Sequence, residues 1–291
     1  MTSQNDVNNN YNYNKISAGI VLFEPDVSSV QTLIDAMLHQ LSHVFIIDNT
    51  PKQDLSDFFQ YNENVTYVPN NANLGIAKAL NQLMEQAEKH NFSWLLTLDQ
   101  DSFFPENGIF TYRKILSELP KETAIICPLF ADRKTGKVFG NTGFVECCIT
   151  SGALTSVKAW KTVSGFDEWF FIDLVDFEFC ARLRKSGYKI YQTSAVTLSH
   201  QIGSPKEVTI FGHTLSSSNH SAMRYYYQSR NYLVYKDLYD LETTNPSPKK
   251  LLIKTLLVDD NKVKKIASIT KGIIDGKKEI KRRRVLQNAN C

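Results

Sequence analysis

The sequence contains no run of the roughly eighteen apolar residues that a membrane-spanning helix requires, which argues against a protein built on such helices. Its five cysteines are odd in number and none are spaced as CxxC. This usage predicts reduced thiols in the cytoplasm, not a disulfide framework or a zinc site. Internal repeats are also missing. These absences favour a globular cytoplasmic protein.

The first fourteen residues, MTSQNDVNNNYNYN, lack the basic start and the apolar core of a signal peptide. We expect a disordered lead-in over 1–14. The chain as a whole is 42% hydrophobic and 22% charged, and its 291 residues can bury a sizeable core. We predict a globular domain over 15–240 and a basic helical extension over 241–291.

Strand-like apolar runs alternate with helical periodicity through the first hundred residues. The runs cover 16–23, 44–48, 65–68 and 94–99, and apolar residues recur at helical spacing over 30–41 and 76–87. This alternation predicts parallel strands with right-handed crossovers, hence a Rossmann-like α/β sheet flanked by helices. Beyond it we predict a helix over 106–119, a strand over 124–128, turns over 132–148, a helix over 157–163, the strands KIYQT and VTLSH, and a helical remainder.

Two aspartates stand at the end of one predicted strand. The run WLLTLDQDSFFP ends in Asp99 and Asp101, and Glu24 and Asp48 also lie just past strand ends. Ligands of such sheets bind beyond the carboxyl ends of the strands. Two carboxylates at alternate positions can reach one Mg²⁺ or Mn²⁺ ion, which prefers oxygen ligands and retains waters and phosphate oxygens. The pattern predicts a metal–diphosphate site, although a lone DxD is more often a capped, solvated turn.

Other polar residues near strand ends strengthen that interpretation. Asp48 is placed to accept hydrogen bonds from a base or ribose. Asn73 is a candidate N-cap for the next helix, and Gly75 would let a ligand approach closely. His200 follows the last strand and could complete a metal shell, although a lone histidine there is more often structural.

Six stretches, taken in order, resemble the inverting family 2 glycosyltransferases, and most closely the bacterial rhamnosyltransferases that build O-antigen and capsule. They are VLFEPD, IIDNTP, NLGIAKALNQ, LTLDQDS, SGALTSVKAWKTVSGFDEWFFIDLVDFEFCARLRKSGY and LSHQIGS. The resemblance runs from about Ile16 to Tyr235. It implies a GT-A fold, which is a Rossmann-like mixed sheet flanked by helices, here with a C-terminal helical extension. It also implies a dTDP-L-rhamnose donor, a Mg²⁺ or Mn²⁺ ion, and a saccharide or lipid-linked saccharide acceptor.

The resemblance also implies roles for individual residues on the donor side. Glu24 and Asp48 would hold the base and the ribose. Asn73, Gly75 and Lys78 would lie near the ribose and the diphosphate.

The remaining implied roles concern the metal, the sugar and the acceptor. Asp99 would face the sugar nucleotide, Asp101 would bind the metal and His200 would be a further ligand. Gly152 would lie close to the donor sugar. Three aromatic residues would line the acceptor side, although at least one could instead belong to the core: Trp169, Phe170 and Phe171.

Asp176 would be the general base that takes the proton from the acceptor hydroxyl. Val175 precedes it, where the family commonly has glutamate, and Asp173 is a competing candidate. As a structural alternative, Asp176 would simply cap the helix that follows.

The C-terminal segment is strongly basic. From Lys249 to Arg284 there are thirteen Lys and Arg against four Asp and Glu, whereas the whole chain has a net charge of +3. KGIIDGKKEIKRRR would suit an anionic membrane surface, placing the protein peripherally on the inner face of the cell membrane. Packing against the domain or a partner subunit is an equal alternative, and homo-oligomer formation stays open. No nucleic acid is expected, because the basic residues form one terminal block.

Three competing functions remain. The same fold serves galactofuranosyl, glucosyl or galactosyl transfer from a UDP-sugar. A sugar-phosphate nucleotidyltransferase would need a Gly-rich, Arg-containing loop after the first strand, and VLFEPDVSS offers none. A non-catalytic binding module would not require Asp101, Asp176 and His200 together.

Overall fold

The computed structural model describes residues 15–59, 62–132, 135–200, 206–210, 213–240, 243 and 245–289, with the backbone but not the side chains of 200, 207–210, 213–215, 287 and 289. Contacts divide the chain into two compact units. Unit 1 contains the described residues up to Leu74, then Lys78–Gly165 and Arg182–His200. Unit 2 contains Gly75–Ala77, Phe166–Ala181 and the described residues after 200.

Unit 1 carries a mixed β-sheet and the helices packed on it. Its strands are β1 (Ile16–Leu22), β2 (Val44–Asp48), β3 (Val65–Pro69), β4 (Trp94–Asp99), β5 (Thr123–Asp132), β6 (Val138–Phe139), β7 (Gly143–Val145), β8 (Ala153–Ser156) and β9 (Lys189–His200). Its helices are α1 (Val27–Leu38), α2 (Ser56–Phe59), α3 (Ile76–Lys89, except its first two residues), α4 (Gly108–Glu118), α5 (Val157–Thr162) and the last turn of α6 (Val175–Lys185).

The strand order is β3-β2-β1-β4-β8-β5-β9-β7, with β6 paired to β5. The first four strands run parallel, as the alternation predicted, and β8 is antiparallel to both β4 and β5. Consequently the carboxyl ends of β1, β2 and β4 meet at one edge of the sheet. KIYQT and VTLSH, predicted as two strands, form the single strand β9. The pairing register shifts where β9 passes from Thr193 to Thr197, which explains the apparent break.

Continuous apolar strands build the core of unit 1. β2 is buried throughout and β4 up to Leu98, as expected for parallel strands covered on both faces. α1 begins where the Asp26 carboxylate accepts a hydrogen bond from the Ser29 N–H (3.2 Å), an N-cap that fixes the helix start. Its buried face then packs on the sheet through Val30, Leu33, Ile34 and Met37.

Unit 2 consists of a 3₁₀ turn at Glu168–Phe170, the first two turns of α6, and the elements after residue 205. These are the hairpin strands β10 (Lys206–Ile210) and β11 (His213–Ser217), then α7 (Ala222–Tyr239), α8 (Pro248–Leu257) and α9 (Lys262–Ala289). The expectation of helices throughout this region was wrong at the hairpin, whose first strand contains three consecutive β-branched residues, which favour strands. Over the described residues, no helix has both the length and the apolarity that crossing a bilayer requires.

The long helix α9 packs along α7. Gly276 makes this possible, because a Cβ there would lie 2.8 Å from the backbone oxygen of Arg230. A Cβ on Gly272, one turn earlier, would lie still closer to the backbone oxygen of Tyr226. The two glycines therefore allow direct backbone contact between the helices. The part of the basic segment that forms α9 therefore packs on α7.

Candidate active site

Gln100, between the two aspartates, connects the end of β4 to the end of β1 by hydrogen bonds. Its side-chain oxygen accepts from the Phe23 N–H (2.9 Å), and its side-chain amide donates to the Phe23 carbonyl (3.2 Å). A Gln can satisfy both backbone groups of one residue because it carries a donor and an acceptor. Its two neighbours differ in exposure: Asp99 is half-buried and Asp101 is exposed. Gln100 therefore fixes the backbone from which both carboxylates project.

A second set of hydrogen bonds supports the same turn from the loop before β8. Ser151 Oγ accepts from the Asp99 N–H (3.3 Å) and lies 2.7 Å from Ser102 Oγ. The Gly152 N–H donates to the Thr97 carbonyl (2.7 Å), and the buried Tyr112 hydroxyl donates to the Gly152 carbonyl (2.8 Å). Burial raises the pKa of Tyr112 well above its usual value, so it remains a hydrogen-bond donor.

Gly152 has φ +74°, in the region that favours glycine. A Cβ there would also lie 2.8 Å from the Pro128 side chain, so no larger residue fits. Backbone conformation and packing therefore both require glycine at position 152. Contact between Gly152 and a donor sugar stays a prediction.

Asp48 is completely buried at the end of β2. Its Oδ1 accepts from the Thr50 N–H (2.8 Å) and its Oδ2 from the Tyr67 hydroxyl (2.8 Å). Burial, together with this carboxylate, raises the pKa of Tyr67 above the usual tyrosine value. Thr50 Oγ1 in turn accepts from the Glu24 N–H (2.8 Å). Asp48 therefore holds the loops after β1 and β2 together, and its direct contact with a nucleotide stays a prediction.

The other donor-side candidates of unit 1 lie along the same edge. Glu24 is exposed, with φ +48°, in the loop after β1. Asn73 precedes the first residue of α3 by three positions, and Lys78 lies in its first turn, both half-buried. A hydrogen-bonded group that the sequence did not single out lies nearby: Asn70 donates to Asn49 (2.8 Å) and pairs with Gln82.

The donor set near β4 suits a hard divalent cation. Asp99 and Asp101 supply carboxylate oxygens, and Asp101 lines a pocket of about 280 Å³ together with Gln100, Ser102, Phe103, Phe104 and residues of α1. Among the residues that the structure describes, no group of three or more His, Cys, Asp and Glu converges. Mg²⁺ and Mn²⁺ commonly use one or two carboxylates and complete their shell with waters and phosphate oxygens. His200 ends β9, and its side chain lies outside the described residues.

In unit 2, Phe171 forms a strained turn. Its φ of +61° and ψ of −65° define a γ-turn, closed by the Ile172 N–H donating to the Phe170 carbonyl (2.7 Å). Its own carbonyl accepts from the N–H groups of Ile76 (2.7 Å) and Ala77 (3.3 Å), the first two residues of α3. A Cβ on Gly75 would lie 2.5 Å from the Phe171 ring, so packing already requires glycine here, and the close approach of a ligand to Gly75 stays a prediction.

Asn231, completely buried in α7, holds the strained segment in place. Its side-chain amide donates to the carbonyls of Phe170 (2.7 Å), Ile172 (2.7 Å) and Asp173 (2.9 Å). Asp173 and Leu174 also have positive φ, +65° and +62°. Each such non-glycine residue costs about 1–3 kcal/mol and persists only where its surroundings impose it. The two N–H bonds of one amide are thus shared among three carbonyls of a segment that would not adopt this shape alone.

Arg230, beside Asn231, holds the residues just before that segment. Its guanidinium lies over the Trp169 ring, 3.8 Å from the ring centre, and donates to the carbonyls of Trp169 and Phe170. Phe170 is completely buried, which agrees with the alternative that at least one of the three aromatic residues belongs to the core, and its role on the acceptor side stays a prediction. Phe171 stacks on Tyr227 with ring centres 4.6 Å apart.

The two candidate bases differ in their surroundings. The side chain of Asp173 is nearly buried and forms an ion pair with Arg224, whose Nε (3.3 Å) and Nη2 (3.2 Å) both contact the carboxylate. Asp176 is the second residue of α6 and half-buried, and its Oδ1 accepts from the Phe177 N–H (2.9 Å). Asp173 therefore has a structural partner that would compete for its lone pairs.

The structure gathers the candidates into two groups. Unit 1 brings Glu24, Asp48, Asn73, Lys78, Asp99, Asp101 and Gly152 to the carboxyl-end edge of the sheet, and unit 2 holds Gly75, Trp169, Phe170, Phe171 and Asp176. Sequence reasoning missed the residues that position them, chiefly Gln100, Ser151, Arg230 and Asn231. The position of Gln100 between two aspartates was a usable signal, whereas nothing local marks Asn231.

Comparison with known proteins decides the family. The sequence model described as "Glycosyl transferase family 2" matches residues 23–171, slightly more than half of the chain. This chain belongs to glycosyltransferase family 2. It is an enzyme of that class, as the six sequence stretches predicted. A curated relative, the "dTDP-rhamnosyl transferase RfbF" of Shigella flexneri, is 29% identical over 236 residues, covering 74% of this chain and 78% of the relative.

Solved structures agree on the fold. "S. aureus TarS" superposes with a TM-score of 0.55 at 13% identity, covering 83% of this chain. "GalNAc-T7 with UDP, GalNAc and Mn2+" gives the same TM-score and identity over 80%. This family 2 chain spans 42% of the TarS chain and 52% of the GalNAc-T7 chain. These likenesses confirm the predicted GT-A fold with a helical C-terminal part.

Proposed function

We propose that this family 2 enzyme is a metal-dependent, inverting rhamnosyltransferase that uses dTDP-L-rhamnose. Its acceptor would be a saccharide or a lipid-linked saccharide of the bacterial surface. The carboxylate pair Asp99 and Asp101, braced at the end of β4 by Gln100 and Ser151, carries the mechanistic part of the proposal. The choice of donor is supported by the relative from Shigella flexneri, which carries the name of a dTDP-rhamnosyl transferase.

The reaction is a single displacement at the anomeric carbon. The acceptor oxygen forms a bond to that carbon as the bond to the diphosphate oxygen breaks, and dTDP leaves with the electron pair. Asp176 accepts the proton of the acceptor hydroxyl. The Arg224–Asp173 ion pair supports Asp176 over Asp173 as this base, because protonating Asp173 would sacrifice an existing interaction.

Asp101, with Asp99 beside it and His200 as a further candidate, would hold Mg²⁺ or Mn²⁺. When bound, such an ion stabilises the charge that develops on a departing diphosphate. Gln100 keeps the turn that carries both carboxylates fixed to β1, so little ordering of the backbone is needed when the donor binds. Glu24, Asp48, Asn73, Gly75 and Lys78 are proposed to contact or to position the nucleotide, Gly152 the donor sugar, and Trp169 and Phe171 the acceptor.

A UDP-sugar is the alternative donor, transferring galactofuranose, glucose or galactose. One fold neighbour was solved with UDP, GalNAc and Mn²⁺, which favours this alternative over a nucleotidyltransferase or a binding module.

The test is a donor panel. Purified protein is incubated with dTDP-L-rhamnose, UDP-glucose, UDP-galactose or UDP-galactofuranose, with Mn²⁺, Mg²⁺ or EDTA, and release of nucleoside diphosphate is measured. We expect dTDP-L-rhamnose to be turned over fastest, and only with metal. A UDP-sugar as the preferred donor would overturn the sugar assignment alone, and turnover that EDTA leaves unchanged would overturn the metal role.

A further inference from the structure

Helix α8 is apolar on both of its faces. Leu251, Thr255 and Val258 are buried against unit 2, and Leu251 packs with Tyr225 and Ile269. On the opposite side Ile253, Leu256 and Leu257 are 49%, 54% and 44% exposed. At 100° per residue, these three and Lys249 and Lys250 fall within an arc of about 120°. Exposed aliphatic residues gathered on one helix face usually mark a binding surface.

The apolar face continues into the first turn of α9. Val263 is 85% exposed there, and the preceding Lys262 donates to the Leu256 carbonyl (2.6 Å), which holds the start of α9 against the end of α8. We call the exposed residues of this corner the α8 surface. It consists of Lys249, Lys250, Ile253, Leu256, Leu257, Lys262, Val263 and Lys264, together with the half-buried Lys254.

The charge of the α8 surface is of one sign. Lys249, Lys250, Lys254 and Lys264 have no ion-pair partner within 4 Å among the residues that the structure describes. The acids of the same corner are already engaged: Asp259 is buried with Lys265 (3.5 Å), and Asp260 pairs with Lys206 (2.6 Å). The surface therefore presents aliphatic groups surrounded by free positive charge.

The arginines farther along α9 are committed inside unit 2. Arg283 contacts Asp167 (2.7 Å) and Glu279 (2.7 Å), Arg282 contacts Glu279 (2.6 Å), and Arg284 pairs with Asp237. The arginines of KGIIDGKKEIKRRR, the segment that suggested an anionic membrane, are therefore paired with carboxylates of unit 2. The exposed Val285 and Leu286 therefore lie beside paired arginines, whereas the exposed apolar groups of the α8 surface lie beside lysines that have no ion-pair partner among the described residues.

We propose that the α8 surface docks on an anionic lipid bilayer, with Ile253, Leu256, Leu257 and Val263 entering the interface and the lysines meeting lipid headgroups. An amphipathic, lysine-rich helix face of this kind lies in the plane of the membrane. A second copy of the chain fits less well, because a two-fold interface would bring the same lysines against each other. Nucleic acid fits less well too, because the surface has no aromatic or Arg side chain for stacking.

The experiment is vesicle flotation with the full chain and no nucleotide sugar, so its outcome is independent of the donor assignment. Vesicles are phosphatidylcholine alone or phosphatidylcholine with about one-third phosphatidylglycerol. We expect binding to the anionic vesicles only, weakened by salt. Leu256→Ser with Leu257→Ser should lower the partition coefficient about tenfold or more. Lys249→Glu with Lys250→Glu should lower it at least fivefold per lysine, because each lysine loses its attraction and gains a repulsion.

A matched control uses exposed residues of another helix. Phe110 is 71% exposed and Lys114 is exposed on the same side of α4, so Phe110→Ser with Lys114→Glu changes the same chemistry elsewhere. It should leave vesicle binding unchanged. Circular dichroism melts confirm that each variant is folded.

Three results would overturn the proposal. One is equal binding to neutral and anionic vesicles. Another is loss of binding on changing Lys277 and Lys281 of α9 to Glu while the Leu256/Leu257 variant still binds. The third is a dimer in light scattering that becomes monomeric in the Leu256/Leu257 variant without any vesicle binding, which would make this face a self-association surface.

Discussion

Asp173 and Asp176 are separated by two residues, yet their carboxylates meet different groups. Asp173 is held by Arg224 in a nearly buried ion pair, and its carbonyl is held by Asn231. Asp176 stands in the first turn of α6, where backbone N–H groups favour a negative charge. The ion pair of Asp173 is a structural role, and Asp176 as the base stays a proposal.

This difference predicts opposite outcomes for two isosteric changes. Asp176→Asn should lower the transfer rate about 10²–10⁴-fold, because the acceptor hydroxyl loses its proton acceptor, while dTDP affinity stays unchanged. Asp173→Asn should lower the free energy of unfolding by about 1–3 kcal/mol, because Arg224 loses its charged partner. Transfer kinetics, dTDP titration and thermal melts measure the three quantities. Full transfer activity in Asp176→Asn would rule this residue out as the base.

Asn231 gives a second residue-scale prediction. Asn231→Asp keeps the shape of the side chain but replaces the amide nitrogen, a hydrogen-bond donor, with an acceptor. The carbonyls of Phe170, Ile172 and Asp173 then lose their donor. We expect a loss of about 2 kcal/mol or more in unfolding free energy and a lower kcat with little change in donor KM, since the strained segment precedes Asp176. Asn288→Asp, an exposed change in α9, is the control. An unchanged kcat with reduced stability would leave Asn231 a purely structural role.

Among the elements, α9 depends on two glycines that would ordinarily weaken a helix. Alanine improves the propensity of an exposed helix by about 1 kcal/mol over glycine. At Gly272 and Gly276, however, a Cβ would press on backbone oxygens of α7, which cannot move as a flexible side chain can. Overpacking of this kind costs about 1–3 kcal/mol, so the clash of an added Cβ should outweigh the gain in helix propensity.

We therefore expect Gly272→Ala to lower the melting temperature, although the same exchange on a free helix surface would raise it. Thr270→Ala, at an exposed position of the same helix, should be neutral or slightly stabilising. Differential scanning calorimetry of the two variants gives the comparison. A higher melting temperature for Gly272→Ala would mean that α9 does not pack on α7 in solution.

Some elements could be predicted from the sequence and others could not. β2 and β4 have the predicted bounds, because their apolar runs and terminal aspartates are local signals. The hairpin β10–β11 was missed because its two strands are five residues each and neither has, over its whole length, the apolar–polar alternation that marks a strand in the sequence. Gln100 and Asn231 were missed for another reason: their hydrogen-bond partners lie 77 and about 60 positions away, and no local pattern encodes them.

At the scale of the whole molecule, buried and half-buried ion pairs connect segments of unit 2 that are far apart in sequence, such as Arg283 of α9 and Asp167. Although burial alone would raise it, the pKa of Glu279 is lowered by hydrogen bonds from Arg282 and Arg283. The pKa of Asp259 is likewise lowered, because Ser217, Tyr225 and Lys265 outweigh its burial. Groups with depressed folded pKa values stabilise the fold above their unfolded values and lose that contribution as the pH falls through the folded values.

The melting temperature should accordingly fall as the pH drops below about 4.5, the ordinary pKa of a glutamate, and towards the lower pKa of Glu279 in the folded state. Glu279→Gln should flatten this acid limb, since the glutamine carries no proton equilibrium, and should lower stability at pH 7. Glu118→Gln, on the exposed surface of α4, should leave the pH profile unchanged. An acid limb that is identical in the wild type and Glu279→Gln would show that this network does not set acid stability.

The central claim is that the carboxylates after β4 hold a metal-bound nucleoside diphosphate. Isothermal titration calorimetry of dTDP, with Mn²⁺ and with EDTA, tests it directly in the wild type, in Asp101→Asn and in Asp57→Asn, an exposed acid of α2. We predict that Mn²⁺ tightens dTDP binding about tenfold or more in the wild type and Asp57→Asn, and that Asp101→Asn abolishes the gain. Equal metal-dependent affinity in Asp101→Asn would contradict the account.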